Sequence, residues 1–190
     1  MAIEDRRERE RAARRQLIIA TARGLAETEG WDAVTTRRLS TEIEYSQPVL
    51  YKHFAGMDQL AAAIAVEGFG ELAAASRAAR LDAITPADAL ARVATAYIDF
   101  ARDNPAVYDA MFARATTLRF ADPDTPAELN TAFDELRDVV AAIADGRDPD
   151  ALTEVLWAAL HGQVTLGRTG RVRPGHESER LRLLVDTFTS

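Results

Sequence analysis

The chain has 190 residues, no cysteine and a formal net charge of −7. A chain of this length buries roughly 70% of its unfolded surface without staples, and the missing cysteines exclude a disulfide framework and thiolate metal sites. No run approaches the ~20 apolar residues of a membrane span, and the charged stretch Glu4 to Arg15 has no apolar signal-peptide core behind it, so a cytoplasmic protein with no membrane partner is expected.

Alanine is abundant and apolar residues recur at intervals of three and four, which predicts an all-α fold of about nine helices with no strand. The first helix is expected from about Asp5 to Glu29, with Leu17, Ile18, Thr21 and Leu25 as its apolar face and Gly30 ending it. Thr35 can cap a short second helix that buries Leu39 and Ile43. The break Glu44-Tyr45-Ser46 leads to a third helix through His53. Asp58 can then cap a long helix to about Arg80. Thr85-Pro86 and Asp148-Pro149 each set a capping residue before a proline suited to the first helical position. Asn104-Pro105 separates two helical stretches, Ala121 to Pro126 is a loop, and a helix is expected from about Ala127 to Ala144. Gly167 to His176 is the last turn, before a terminal helix from about Glu177 to Phe188.

Charge is distributed unevenly along this series. Through residue 55 there are ten basic and nine acidic residues, against 13 basic and 21 acidic in the remainder. An acidic body thus follows a near-neutral, Arg-rich head.

Residues 35 to 54, TTRRLSTEIEYSQPVLYKHF, carry the functional signal. A helix-turn-helix needs a short helix, a tight turn, and a second helix whose leading side chains reach base edges. Leu39, Ile43, Leu50 and Phe54 would pack inward with Val34 and Leu25, closing a three-helix core. Gln47, Tyr51 and Lys52, with Val49, then face outward. Ser46 can cap the recognition helix, and Pro48 falls in its first turn, where a missing N–H costs little. Gln47 can pair with adenine, while Pro48 and Val49 suit a thymine methyl. Tyr51, Lys52 and His53 suit phosphates, as do Thr35 and the leading residues of the second helix, Thr36 and Arg37. The Arg run from Arg6 to Arg15 adds a candidate backbone or minor-groove contact.

Residues 17 to 66 resemble the tetracycline-repressor family of bacterial regulators. The resemblance is carried by LIIATARGLAETEGWDAVTTRRLS, then SQPVLYKHF and DQL at 58–60. The turn departs from the family pattern: Glu44 stands where glycine is usual and Tyr45 where a small aliphatic residue is usual. Arg38 replaces a commonly acidic residue and adds positive charge to the head. The tract Leu156-Trp157-Ala158-Ala159-Leu160-His161-Gly162 looks like the Trp-His-Gly signature of one C-terminal subgroup.

The resemblance implies a helix-turn-helix DNA-binding domain over 1–56 and a helical ligand-binding and dimerisation domain over 57–190. Helices at roughly 150–168 and 177–188 would form the homodimer interface. Tyr97, Phe100, Tyr108, Met111, Phe112, Trp157 and His161 are candidate ligand-pocket residues, although aromatics at helical spacing also serve as plain core. The expected function is a repressor released from a palindromic operator by a small-molecule inducer, with the helix of about 58–80 as the lever. A constitutive DNA-binding regulator and a helical ligand-binding or enzymatic protein remain alternatives. The match of Gly68 to Ala73 to a G-x-G-x-x-A dinucleotide fingerprint fails for want of a preceding strand. His53, His161 and His176 share no metal-ligand spacing, and no catalytic residues, metal or cofactor are expected.

Overall fold

The computed structural model describes residues 2–115, 118–120 and 122–189, and these contain nine α-helices and no strand. Helix α1 (Ala2–Glu29) ends at Gly30, whose φ of 85° is open to a residue without Cβ and whose N–H donates to Ala26 O at 3.0 Å. Its buried face is Ile18, Ile19, Ala22, Leu25 and Ala26, while Leu17 is 44% exposed and Thr21 half-buried. The expected face is thereby rotated. Successive residues lie 100° apart, so the stripe centred between Ile18 and Ile19 leaves Leu17 on the far side.

A 3₁₀ turn (Trp31–Ala33) leads to α2 (Thr36–Glu42), where the Thr35 hydroxyl accepts from the Arg38 N–H at 3.1 Å. Past α2, Glu44 takes φ 54°. Its N–H donates to Thr41 O at 3.4 Å, and the Tyr45 N–H donates to Ser40 O at 3.1 Å. This is a Schellman ending built on glutamate instead of glycine.

Helix α3 (Gln47–Tyr51) starts with Pro48 in its first turn, but Ser46 makes no side-chain capping bond. The helix also stops before His53, because the Lys52 N–H is shared between the carbonyls of Pro48 and Val49 in a tightened last turn. Helix α4 (Met57–Leu81) holds Asp58 inside its first turn, not at the cap.

The remaining helices are α5 (Pro86–Asp103), α6 (Pro105–Asp109), α7 (Ala127–Ala141), α8 (Pro149–Arg168) and α9 (Glu177–Thr189). At the start of α5, the Thr85 hydroxyl accepts from Asp88 N–H at 3.1 Å while the Asp88 carboxylate accepts from Ile84 N–H at 3.0 Å. Such reciprocal bonds satisfy donors that a helix start leaves orphaned. The Asp148 carboxylate does the same for Asp150 N–H at 3.0 Å. After α6 the chain makes a π-helical turn, Ala110–Arg114, that periodicity does not announce. Of the loop expected at 121–126, Ala121 lies outside the described residues.

The chain forms two compact units. The first comprises the described residues through Gly68 and those of Asn104–Arg119. Its core joins the α1 stripe to Val34, Leu39, Ile43, Leu50, Phe54 and Leu60. The start of α6 is held by polar bonds: Trp31 Nε1, from the 3₁₀ turn after α1, donates to Ala106 O at 3.0 Å, and Arg23 of α1 donates to the Oδ1 of Asn104, just ahead of α6, at 2.9 Å. The second unit comprises Phe69–Asp103 and the described residues from Phe120 on. It buries Leu90, Val93, Tyr97, Leu129, Leu136, Leu156 and Leu160. Glu135, 4% exposed, sits in that core only because Arg77 reaches one oxygen at 2.6 Å and Arg80 the other at 3.0 Å. No described helix is long and apolar enough to cross a membrane.

Candidate nucleic-acid interface and ligand cavity

Burial sorts the residues of α3 and of the short stretch after it into two sets. Leu50 and Phe54 are buried in the first unit, so the opposite face must point to solvent. Gln47, Pro48, Tyr51 and Lys52 are exposed there, Val49 is half-buried, and Ser46 is exposed just ahead of them. Tyr51, 54% exposed, is a large ring left in water with no core role. From α2 and its cap, Thr35 and Arg37 are exposed and Thr36 is half-buried.

Charge pairing separates the cations of this surface. Arg38 donates to Glu42 at 2.8 Å and to Glu29 at 3.0 Å, so the positive charge expected from this residue is neutralised locally. Arg37 and Lys52 form no ion pair among the described residues, leaving their charge available to an outside anion. Next to them, the half-buried His53 imidazole is held below its ordinary 6.5, first by burial and then by Arg11, Arg14 and Arg15. The Arg15 guanidinium also lies 5.0 Å above the Phe54 ring. These arginines belong to the exposed start of α1, where Glu4 to Leu17 are all exposed and Glu10 pairs with Arg6 at 3.3 Å and Arg14 at 3.8 Å. At 100° per residue, Arg7, Arg11 and Arg14 continue the line of Ile18 along α1.

The second unit contains an apolar cavity lined from four helices: Phe69 and Leu72 of α4, Tyr97 of α5, Leu129, Ala132, Phe133 and Leu136 of α7, and Trp157 of α8. Phe120, which lies in no helix, closes the lining. The void left between these side chains is about 10 Å³. Inside it the Trp157 Nε1–H donates to the Tyr97 hydroxyl at 3.2 Å. A shallower groove of about 310 Å³ runs over Gly70, Ala73 and Ala74 of α4, beside Glu128 and Thr131 of α7.

Of the candidate pocket residues, Tyr97 and Trp157 meet at this cavity. Phe100 is buried in the same unit without lining it. Tyr108, Met111 and Phe112 belong to the first unit, where the Tyr108 and Phe112 rings stand 4.6 Å apart. His161 is half-buried on α8, with its imidazole lowered by burial and then by Arg168, and lies 3.4 Å from the Thr165 hydroxyl. Sequence reasoning missed Phe69, Phe120 and Phe133. Phe69 and Phe133 each stand three residues before a buried leucine, Leu72 and Leu136, a spacing that marks them as inward-facing; Phe120 has no such signal.

Residues 18–64 match the family described as bacterial regulatory proteins of the tetR family, and residues 90–188 match a tetracyclin repressor-like C-terminal domain. Residues 156–162, which carry the Trp-His-Gly resemblance, lie within that C-terminal match. An uncharacterized HTH-type transcriptional regulator of Mycobacterium tuberculosis is 29% identical over 163 residues, 82% of this chain and 71% of its own. Among solved structures, a protein of unknown function from Rhodococcus aligns with TM-score 0.78 and 25% identity, covering 92% of this chain and 93% of that one. The Bacillus subtilis regulator FadR, solved with stearoyl-CoA, aligns with TM-score 0.66 and 13% identity over 90% and 97%. The chain therefore belongs to the tetracycline-repressor family and is a DNA-binding transcriptional regulator.

Proposed function

We propose that the chain is a homodimeric repressor whose head (1–56) reads a near-palindromic operator and whose body (57–190) binds a small-molecule inducer. The observation that carries the reading is the outer face of α3: Gln47, Pro48, Tyr51 and Lys52 exposed together, with Leu50 and Phe54 anchored behind them. Gln47 reads an adenine edge, and Pro48 and Val49 meet a thymine methyl. Tyr51, Lys52, His53, Thr35, Thr36 and Arg37 hold phosphates, and Ser46 sits at the leading end. Arg7, Arg11 and Arg14 extend the phosphate contacts along α1.

Dimerisation is supported by α8 and α9. Val155, 58% exposed, and Leu166, 41% exposed, share one face of α8 with Ala159 and Gly162, and α9 adds Leu183 at 51%. A second copy covers such a stripe, which is costly to leave in water. Two heads then enter successive major grooves about 34 Å apart, or a multiple of that spacing.

Ligand response is supported by the aromatic cavity at Tyr97 and Trp157, and by the fatty acyl-CoA carried by the B. subtilis regulator of the same fold. Helix α4 runs from the first unit into the second, and so links ligand body and head covalently. A coupling of ~1–3 kcal/mol between ligand and DNA suffices for regulation.

The test is titration of the purified chain into a duplex that it has itself selected, over a series of salt concentrations. The expected result is two chains per duplex and, for Lys52→Ala, a log–log salt slope reduced by about two, one for each subunit. One chain per duplex, or an unchanged slope, contradicts the assignment.

A further inference from the structure

Eight of the nine side chains that line the aromatic cavity are carried by helices; the ninth, Phe120, is carried by irregular chain. Its ring nevertheless lies inside, edge-on to Phe69 at 5.5 Å and 78° and to Trp157 at 4.8 Å and 63°. Edge-to-face contact of this kind is what an aromatic ligand makes with its protein. We propose that Phe120 occupies the ligand site from within, and that the site takes an uncharged, ring-bearing molecule in exchange for that side chain. The proposal rests on the reading of this cavity as the inducer site.

Three observations support the exchange. The first is volume. A void of about 10 Å³ holds about one water and no organic ligand. An apolar cavity of roughly 150 Å³ takes up benzene, and withdrawal of a phenyl ring opens space on that scale. Something must leave before a ligand enters.

The second is anchorage. Phe69, Leu72, Tyr97, Phe133 and Trp157 are fixed by the backbone bonding of α4, α5, α7 and α8, so moving any of them disturbs a helix. Moving Phe120 breaks no helical ladder. It is the lining ring that can leave at least cost.

The third is polarity. No charged side chain lines the cavity, and its polar side-chain atoms, the Tyr97 hydroxyl and Trp157 Nε1, bond each other. A carboxylate or phosphate placed here loses its hydration and finds no cation. The ligand class is therefore uncharged, of about one ring, with the contacts to Phe69 and Trp157 passing from the Phe120 ring to its own.

The exchange lowers the apparent affinity of the wild-type protein, because only the fraction with Phe120 withdrawn is competent to bind. The experiment compares toluene with benzoate, a charged molecule of the same ring size, on wild-type protein and on Phe120→Ala, with Phe120→Leu as a milder variant. Toluene is expected to saturate the wild type, to bind Phe120→Ala at least about tenfold more tightly, and to bind Phe120→Leu in between; benzoate binds none of them. Hydrogen exchange on the wild type separates exchange of rings from simple filling of space. Toluene should speed exchange at the amides of Phe120, Asp122, Asp124 and Thr125 while slowing it along α8.

Toluene affinity unchanged by Phe120→Ala, absence of saturable binding to the wild type, benzoate binding equal to toluene, or slowed exchange at Phe120 overturns the proposal. Selection of duplex DNA by the same preparations is scored in parallel. Intact DNA selection with a failed toluene result removes this inference alone, whereas failure to select DNA removes the repressor reading whatever toluene does.

Discussion

Glu27 and Val107 stand 80 positions apart and are joined by a hydrogen bond of 3.0 Å from the Val107 N–H to the Glu27 carboxylate. The other carboxylate oxygen accepts from the Ala106 N–H, also at 3.0 Å. Both amides belong to the first turn of α6, where a helix has no partners of its own and where negative charge is favoured. Hydrogen bonds to a charged group contribute about 1.5–3 kcal/mol each, reduced here by partial exposure. Glu27→Ala is expected to destabilise the chain by about 2 kcal/mol, and Glu27→Gln by less, since an amide oxygen still accepts. The midpoint of chemical denaturation measures both; equal midpoints for wild type and Glu27→Ala would refute the capping role.

The backbone at Glu44 offers a change of opposite sign. Its φ of 54° costs a residue with a Cβ about 1–2 kcal/mol, which glycine does not bear, while glycine costs part of that back in unfolded-state entropy. Glu44→Gly should therefore raise stability by up to about 1 kcal/mol, read as a higher melting temperature. A lower one would show that the Glu44 side chain contributes more than its backbone conformation costs.

These two residues also mark what the sequence makes legible. Local rules found the helix starts and the head: the caps at Thr35 and Asp148, the proline-led starts of α3, α5, α6 and α8, and the spacing of Leu39, Ile43, Leu50 and Phe54 in the head all act within a few residues. The departure at Glu44 was visible as a break in a family pattern, and its strained φ follows from that position. Glu27 gave no sign, because its partner is remote in sequence and local pattern carries no such information. On α1 the run Leu17 to Ile19 fits two apolar stripes, and only packing against α2 and α6 selects the one that buries Ile19 and exposes Leu17. Aromatics of like spacing fell into different units: Tyr97 and Trp157 at the cavity, Tyr108 and Phe112 away from it. Helical periodicity shows which residues share a face, not which neighbour that face meets.

Gly68 marks a close approach within the first unit. A Cβ built there would stand 2.5 Å from Val107 Cγ1 and 2.9 Å from Met111 Sδ. Methionine can swing aside, but a β-branched valine has few rotamers to retreat into. Gly68→Ala is expected to cost about 1–3 kcal/mol despite alanine's better helix propensity. Pairing it with Val107→Ala should recover part of the loss, and a thermodynamic cycle on the two changes measures the coupling. Strict additivity would place the strain elsewhere.

His53 supplies a pH dependence whose sign is fixed. Burial, then Arg11, Arg14 and Arg15, hold its folded-state value below 6.5. The unfolded chain therefore binds the extra proton first, and stability falls as pH drops through 6.5 toward the folded value. Operator binding should move the other way, since a phosphate beside the imidazole favours its charged form. Affinity for a selected duplex is expected to rise as pH falls from about 7.5 to about 5.5, with proton uptake on binding. His53→Gln should remove most of that slope. An equal slope in the variant would assign the proton to another group.

The most direct measurement is selection of genomic DNA fragments by the purified protein at physiological salt, followed by sequencing, for wild type and Gln47→Ala. The wild type is predicted to enrich a near-palindrome with half-sites about one helical turn apart or a multiple of it. Gln47→Ala is predicted to enrich the same sites with relaxed preference at particular A·T positions. Absence of enrichment by folded wild-type protein would contradict α3 as a reader of DNA sequence.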